Sequence, residues 1–152
     1  MGAMPLFEPN RHVALDASPW SDEAARCCIE RIVDDTVTSF SPTSWWPNHP
    51  LDLEPDEADE PRANLYFGAG GVLWALEQLR RAGFVEPARA LGQAHEPALE
   101  SLLGRLVATN KRFTDAWGHG EQSWLMGKSG LLMLRWQHGH WAPDALELYE
   151  AV

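Results

Sequence analysis

Apolar positions along this chain recur with helical spacing, and no stretch shows the strict alternation of a half-buried strand. Ala24, Cys28, Ile32, Val33, Thr36, Val37 and Phe40 fall at i, i+4, i+8 intervals and predict a first helix over residues 19–40. Ser18 or Ser21 can cap it, Asp22 and Glu23 sit in its first turn, and Ser41-Pro42 closes it. A long loop is predicted over 42–64. A second helix is predicted from Gly70 to Arg81, with Val72, Leu73, Leu76 and Leu79 on one face and Gly83 just past its end. Residues 86–108 read as helical but are interrupted by Pro97. The expectation is a short helix over 86–94 and another that takes Pro97 at its first position and carries the stripe Leu99, Leu102, Leu103, Leu106 and Val107. A loop from Thr109 to about Gln122 should follow, then helices over 128–137 and from Pro143 onward. The fold class expected is all-α.

Two segments repeat. Tyr66-Phe67-Gly68-Ala69-Gly70-Gly71-Val72-Leu73-Trp74 aligns with Leu125-Met126-Gly127-Lys128-Ser129-Gly130-Leu131-Leu132-Met133 at an offset of 59 residues. Each copy reads apolar-apolar-Gly-x-x-Gly-apolar-apolar and leads into an apolar helix. The physical content of such a GxxG turn is backbone approach. Gly68 and Gly127 can take a tight entry turn, while Gly71 and Gly130, one helical turn on, carry no Cβ to hold a neighbour away. A repeated pattern in the same context points to a helical-hairpin repeat. Gly127-Lys128-Ser129 imitates the end of a phosphate-binding loop, but position 122 is Gln where that motif needs Gly, and no strand precedes it.

Composition narrows the function classes. At 152 residues the chain is one domain by length and can bury roughly 70% of its unfolded surface. It carries 22 acidic against 12 basic residues, a net charge of −10, with only two lysines. Clustered cations are needed to neutralise phosphates, so nucleic acid and anionic membrane surfaces are poor partners. No apolar run approaches the roughly 18 residues of a membrane span, and the first residues lack a basic segment followed by an apolar one. The expected location is cytoplasmic. Cys27 and Cys28 are adjacent, so on a helix they point about 100° apart and should not pair with each other; one is expected in the core and the other on its flank.

Several side chains invite a chemical reading. Six acids over 52–60 repel one another and suit a solvated loop better than a cation site, since no EF-hand spacing is present. His138-x-His140 falls near a helix end, where the two rings diverge, so a metal site is not expected. His119 and Glu121 lie in a glycine-rich loop and, with Trp117, Trp46 and His49, are the candidates for lining a pocket. Among eight tryptophans, Trp74, Trp124 and Trp136 are expected in the core, whereas Trp45, Trp46 and Trp117 are expected in loops, packed or stacked on a ligand.

The order of Trp46-Pro47-Asn48-His49-Pro50-Leu51-Asp52, Leu65 to Leu76 and Ser123 to Leu132 resembles the lanthionine synthetase C-like (LanC-like) family. The resemblance spans nearly the whole chain, from about Arg11 to Val152. It implies an incomplete α/α toroid of helical hairpins joined by GxxG turns. Residues 1–152 would form a single region matching the N-terminal part of a seven-hairpin ring, about two hairpins of it. Family cyclases hold one zinc through a cysteine and a later Cys-His pair, and the metal activates a substrate thiol for addition to a dehydrated residue. No Cys-His dipeptide occurs in this sequence, and Cys27-Cys28 precedes the first GxxG. The resemblance therefore implies no zinc ligand, no catalytic residue and no cofactor among these residues, and no cyclase activity by this chain alone. A peptide substrate or a protein partner is the implied binding class. Two further readings stand beside it: a helical interaction module that self-associates through the open edge of the ring or docks on a partner, and a fragment of a carbohydrate-active α/α barrel, the latter by fold analogy.

Overall fold

The computed structural model describes residues 19–49, 53, 60–85, 96–117 and 122–139. Among them are four helices and no named strand, so the all-α expectation holds: α1 (Asp22–Thr38), α2 (Ala69–Arg81), α3 (Glu96–Trp117) and α4 (Lys128–Gln137). The helices expected over 86–94 and beyond Pro143 lie outside the described residues, as does most of the acidic stretch. No helix among the described residues is long and apolar enough to cross a membrane.

Local chemistry accounts for the helix ends. Ser21 takes an extended backbone and its hydroxyl accepts from Ala24 N at 3.2 Å, as an N-cap should. Gly83 closes α2 with φ +75°, the left-handed region that a side chain disfavours. Its N–H donates to Arg80 O at 3.0 Å and that of Phe84 to Leu79 O at 2.9 Å, the paired bonds of a Schellman stop. Gly139, at φ +78°, ends α4 in the same conformation.

The main core joins Leu73 of α2, Leu99, Leu102, Leu103 and Leu106 of α3, and Leu131 and Leu134 of α4, with Trp45 and Ala63 from the intervening loop. Leu106, Leu131 and Leu134 are wholly buried, each contributing about 2 kcal/mol by transfer from water. Trp45 reaches this core at φ +60°, a conformation costing about 1–2 kcal/mol for a side chain of this size. Reciprocal backbone bonds with Ser41, at 2.7 and 2.8 Å, and near-complete burial of the indole hold it there.

Three expectations are corrected. First, the buried face of α1 is only part of the one read in the sequence: Val33 and Val37 lie on it, Ile29 joins them, and Cys28 and Ile32 do not. Ile29, Val33 and Val37 pack on Val72, Leu76, Leu79 and Val85, while Ile32 and Cys28 face outward. Two apolar rows run along this helix, and the aliphatic side chains of α2 select the one richer in branched residues. As a result both Cys27 and Cys28 are exposed free thiols, and neither enters the core.

Second, α3 does not stop at 108 but continues to Trp117. Asn110 and Thr114 extend the buried row begun by Leu103 and Leu106, although their polarity reads as loop. Asn110 Nδ2 donates to Met126 O at 2.9 Å, which gives the extra turns a partner outside the helix. Third, Trp74, Trp124 and Trp136 are 42%, 51% and 60% exposed rather than in the core. Core places went to leucines of α2, α3 and α4 instead.

Candidate binding cleft

The two GxxG turns are built alike. Gly68 and Gly127 are the N-caps of α2 and α4, with extended backbones at φ −125° and −93°. Glycine at 68 is therefore a matter of space: a Cβ there would lie 2.6 Å from Arg62 O. One turn later the same relation appears in both copies. A Cβ on Gly71 would fall on Leu65 O, and a Cβ on Gly130 would fall on Trp124 O, in each case the carbonyl six residues back. The side chain preceding each turn also caps it. Asn64 Oδ1 accepts from Tyr66 N and Phe67 N at 3.0 Å each, and its counterpart Ser123 Oγ accepts from Met126 N at 3.2 Å.

The turns also dock on each other. Leu65 N and Tyr66 N both donate to Leu125 O, at 3.1 and 3.2 Å. The Leu65 side chain lies against the bare face of Gly130, and that of Leu131 against Gly70. Side-chain-free positions are thus what allow the starts of α2 and α4 to come together. The amide groups that open α2 are already taken, since Ala69 N and Gly70 N donate to Arg62 O and Ala63 O at 2.9 and 3.1 Å. Lys128-Ser129 forms no phosphate loop: Ser129 Oγ donates to Gln122 O at 3.0 Å.

Between the two helices opens a cleft of about 440 Å³, within the range of small-ligand sites. One wall is a single face of α2, with Gly71, Trp74, Gln78 and Arg81 at successive turns. The other is formed by Met133 and Gln137 of α4 with Trp124 and Leu125 of the second turn, and Leu65 closes the end. The 59-residue offset carries Leu65 onto Trp124, Trp74 onto Met133 and Gln78 onto Gln137, so both repeats present corresponding positions to one space. The carbonyl oxygen Oε1 of Gln137 is buried and has no hydrogen-bond partner among the described residues.

Charge at the rim is set by Glu77, 2% exposed behind the cleft wall. Arg80 grips it through Nε and Nη2 at 2.6 and 2.7 Å, and Arg81 donates Nε to it at 2.7 Å. The bond from Arg80 is the main cause that holds the Glu77 carboxyl down at about 2, against the opposing effect of burial, with Arg81 and the charge of His138 adding to the lowering. The carboxyl is therefore ionised at any ordinary pH. Two guanidinium groups then face one carboxylate, so that among the described residues a positive charge remains uncompensated at Arg81, which is 46% exposed.

Of the residues nominated from sequence to line a pocket, Trp46 and His49 lie outside the cleft lining. Gly68, Gly71, Gly127 and Gly130 lie in the two turns. Trp46 donates its indole N–H to Thr36 O at 2.6 Å and packs on Phe40 with ring centroids 5.0 Å apart, which fixes the loop to α1. His49 is exposed and outside the cleft lining. Trp117 is the last residue of α3 rather than part of a loop, and His119, Glu121 and His140 lie outside the described residues. His138 caps the end of α4. No cluster of three or more His, Cys, Asp or Glu suited to a metal occurs among the described residues. Trp74, Gln78, Arg81 and Gln137 were missed, yet a signal existed: the repeat offset pairs the two glutamines, and 74, 78 and 81 share one helical face. Comparison with family models, with curated proteins and with solved structures returns no match.

Proposed function

We propose that this chain is a LanC-like helical-hairpin module that works by binding a peptide segment in the cleft between its two GxxG turns. The reading that these are two units of an α/α toroid is supported by the shared turn construction: the same carbonyl-to-glycine approach, the same side-chain cap and a constant 59-residue offset. A binding role is supported by the cleft itself. Exposed indoles offer apolar faces, and the primary amides of Gln78 and Gln137 carry both donors and acceptors, as a peptide bond does. Thioether ring closure by this chain alone is not part of the proposal, because none of its residues matches the zinc ligands of the cyclases it resembles.

The test uses a synthetic peptide with one cysteine and one dehydroalanine, amidated at its C-terminus. Binding should perturb the indole N–H signals of Trp74 and Trp124 in nuclear magnetic resonance spectra. The peptide cysteine should stay reactive to N-ethylmaleimide after long incubation with the chain and zinc. Loss of that thiol without mass change would mean ring closure and would overturn the non-catalytic reading. Indole signals that stay unmoved at millimolar peptide would overturn the binding one.

A further inference from the structure

We infer that the cleft prefers an acylated aromatic amino acid with a free carboxylate, the chemistry of a peptide's C-terminal residue; this rests on reading the cleft as a binding site. Three observations define the ligand. Among the described residues the rim carries uncompensated positive charge, because Arg80 and Arg81 share the single carboxylate of Glu77. Among the described residues the cleft lining contains this one cation and no acid, in a chain whose net charge is −10. An anion is thus drawn to Arg81, whose Nε is committed to Glu77 while its terminal nitrogens have no partner among the described residues. Trp74 and Trp124, both about half exposed and on opposite walls of the cleft, supply faces on which an aromatic ring can stack. Finally, the orphaned Gln137 Oε1 requires a donor, since a buried acceptor left unmade is costly. An amide N–H placed between carboxylate and acyl group is such a donor. A volume of about 440 Å³ holds one such residue with part of the preceding peptide.

The experiment is calorimetric titration of the whole chain, in a buffer without carboxylate or phosphate. The probes are N-acetylphenylalanine, its primary amide, N-acetylalanine, and acetyl-Gly-Gly-Phe with a free C-terminus. The carboxylate should bind about tenfold or more tightly than the amide, the ratio expected of one charge-assisted hydrogen bond. Arg81→Gln should remove that ratio while leaving Glu77 paired with Arg80, and a Gln137→Leu variant should weaken both ligands alike. N-acetylalanine should bind weakly or not at all. Tighter binding of the tripeptide than of N-acetylphenylalanine identifies a peptide terminus as the source, and equal binding identifies a free acylated amino acid. Equal affinity for carboxylate and amide, or an unchanged preference in Arg81→Gln, overturns the inference. The amidated cysteine–dehydroalanine peptide is the control for the parent reading. If it binds and the carboxylate preference is missing, only the present inference falls; if no probe binds, both fall.

Discussion

The two GxxG turns predict that alanine at Gly71 or Gly130 is costly, and that alanine at Gly104 is not. All three glycines are helical, so intrinsic propensity favours alanine at each by about 0.5–1 kcal/mol. Surroundings separate them. A Cβ at Gly104 meets nothing within 4 Å. At Gly71 it falls on Leu65 O, and at Gly130 on Trp124 O and the Leu65 side chain. A backbone carbonyl cannot swing aside as a side-chain tip can, so the turn itself must move. Such overpacking costs about 1–3 kcal/mol. Moving the turn also strains the bonds from Leu65 N and Tyr66 N to Leu125 O, each worth about 1 kcal/mol. After the propensity gain is subtracted, Gly71→Ala and Gly130→Ala should each lose about 2–4 kcal/mol. Gly104→Ala should gain about 0.5–1 kcal/mol. Urea unfolding followed by circular dichroism at 222 nm measures all three. A 3 kcal/mol loss corresponds to a fall in Tm of about 6–12 °C for a chain of this size. If Gly130→Ala stays within about 0.5 kcal/mol of the parent, the close approach is refuted. If only one of the pair is costly, the equivalence of the turns is refuted.

Other outcomes follow from single contacts. Glu77 is held at about 2 when folded, below its ordinary value of 4.5, so its contribution is present above pH 4.5 and is lost as pH falls toward 2. That contribution is roughly 3 kcal/mol; acid titration of stability should show it in the parent and lose it in Glu77→Gln. Asn64→Ala orphans Phe67 N and takes one of two acceptors from Tyr66 N, which keeps Leu125 O, and should cost about 1–2 kcal/mol, whereas Ser123→Ala orphans Met126 N and should cost about 1 kcal/mol, both read by thermal melts. Native protein should react at both Cys27 and Cys28 with Ellman's reagent without prior unfolding, and Cys28→Ser should change stability by less than about 0.5 kcal/mol.

What the sequence settled by itself is local. A serine cap at 18 or 21, the Gly83 stop, the bounds of α4 and the two GxxG entries each depend on residues within one or two turns of one another, and all were legible from spacing. The offset of 59 residues was legible too, and it carries the correspondence of Gln78 with Gln137 that defines the cleft. Only tertiary contact decided the rest. On α1 two apolar rows lay side by side, and the choice of Val33 over Ile32 came from the side chains of α2. Asn110 and Thr114 look like loop residues until the second turn supplies a carbonyl for Asn110 to meet. Trp74 and Trp124 read as core by hydrophobicity, yet the space against α3 was filled by leucines, leaving the indoles at the cleft. Periodicity states which residues can share a face. Which face is buried depends on the shape and bonding needs of a neighbour distant in sequence, and so it emerges only when the elements pack.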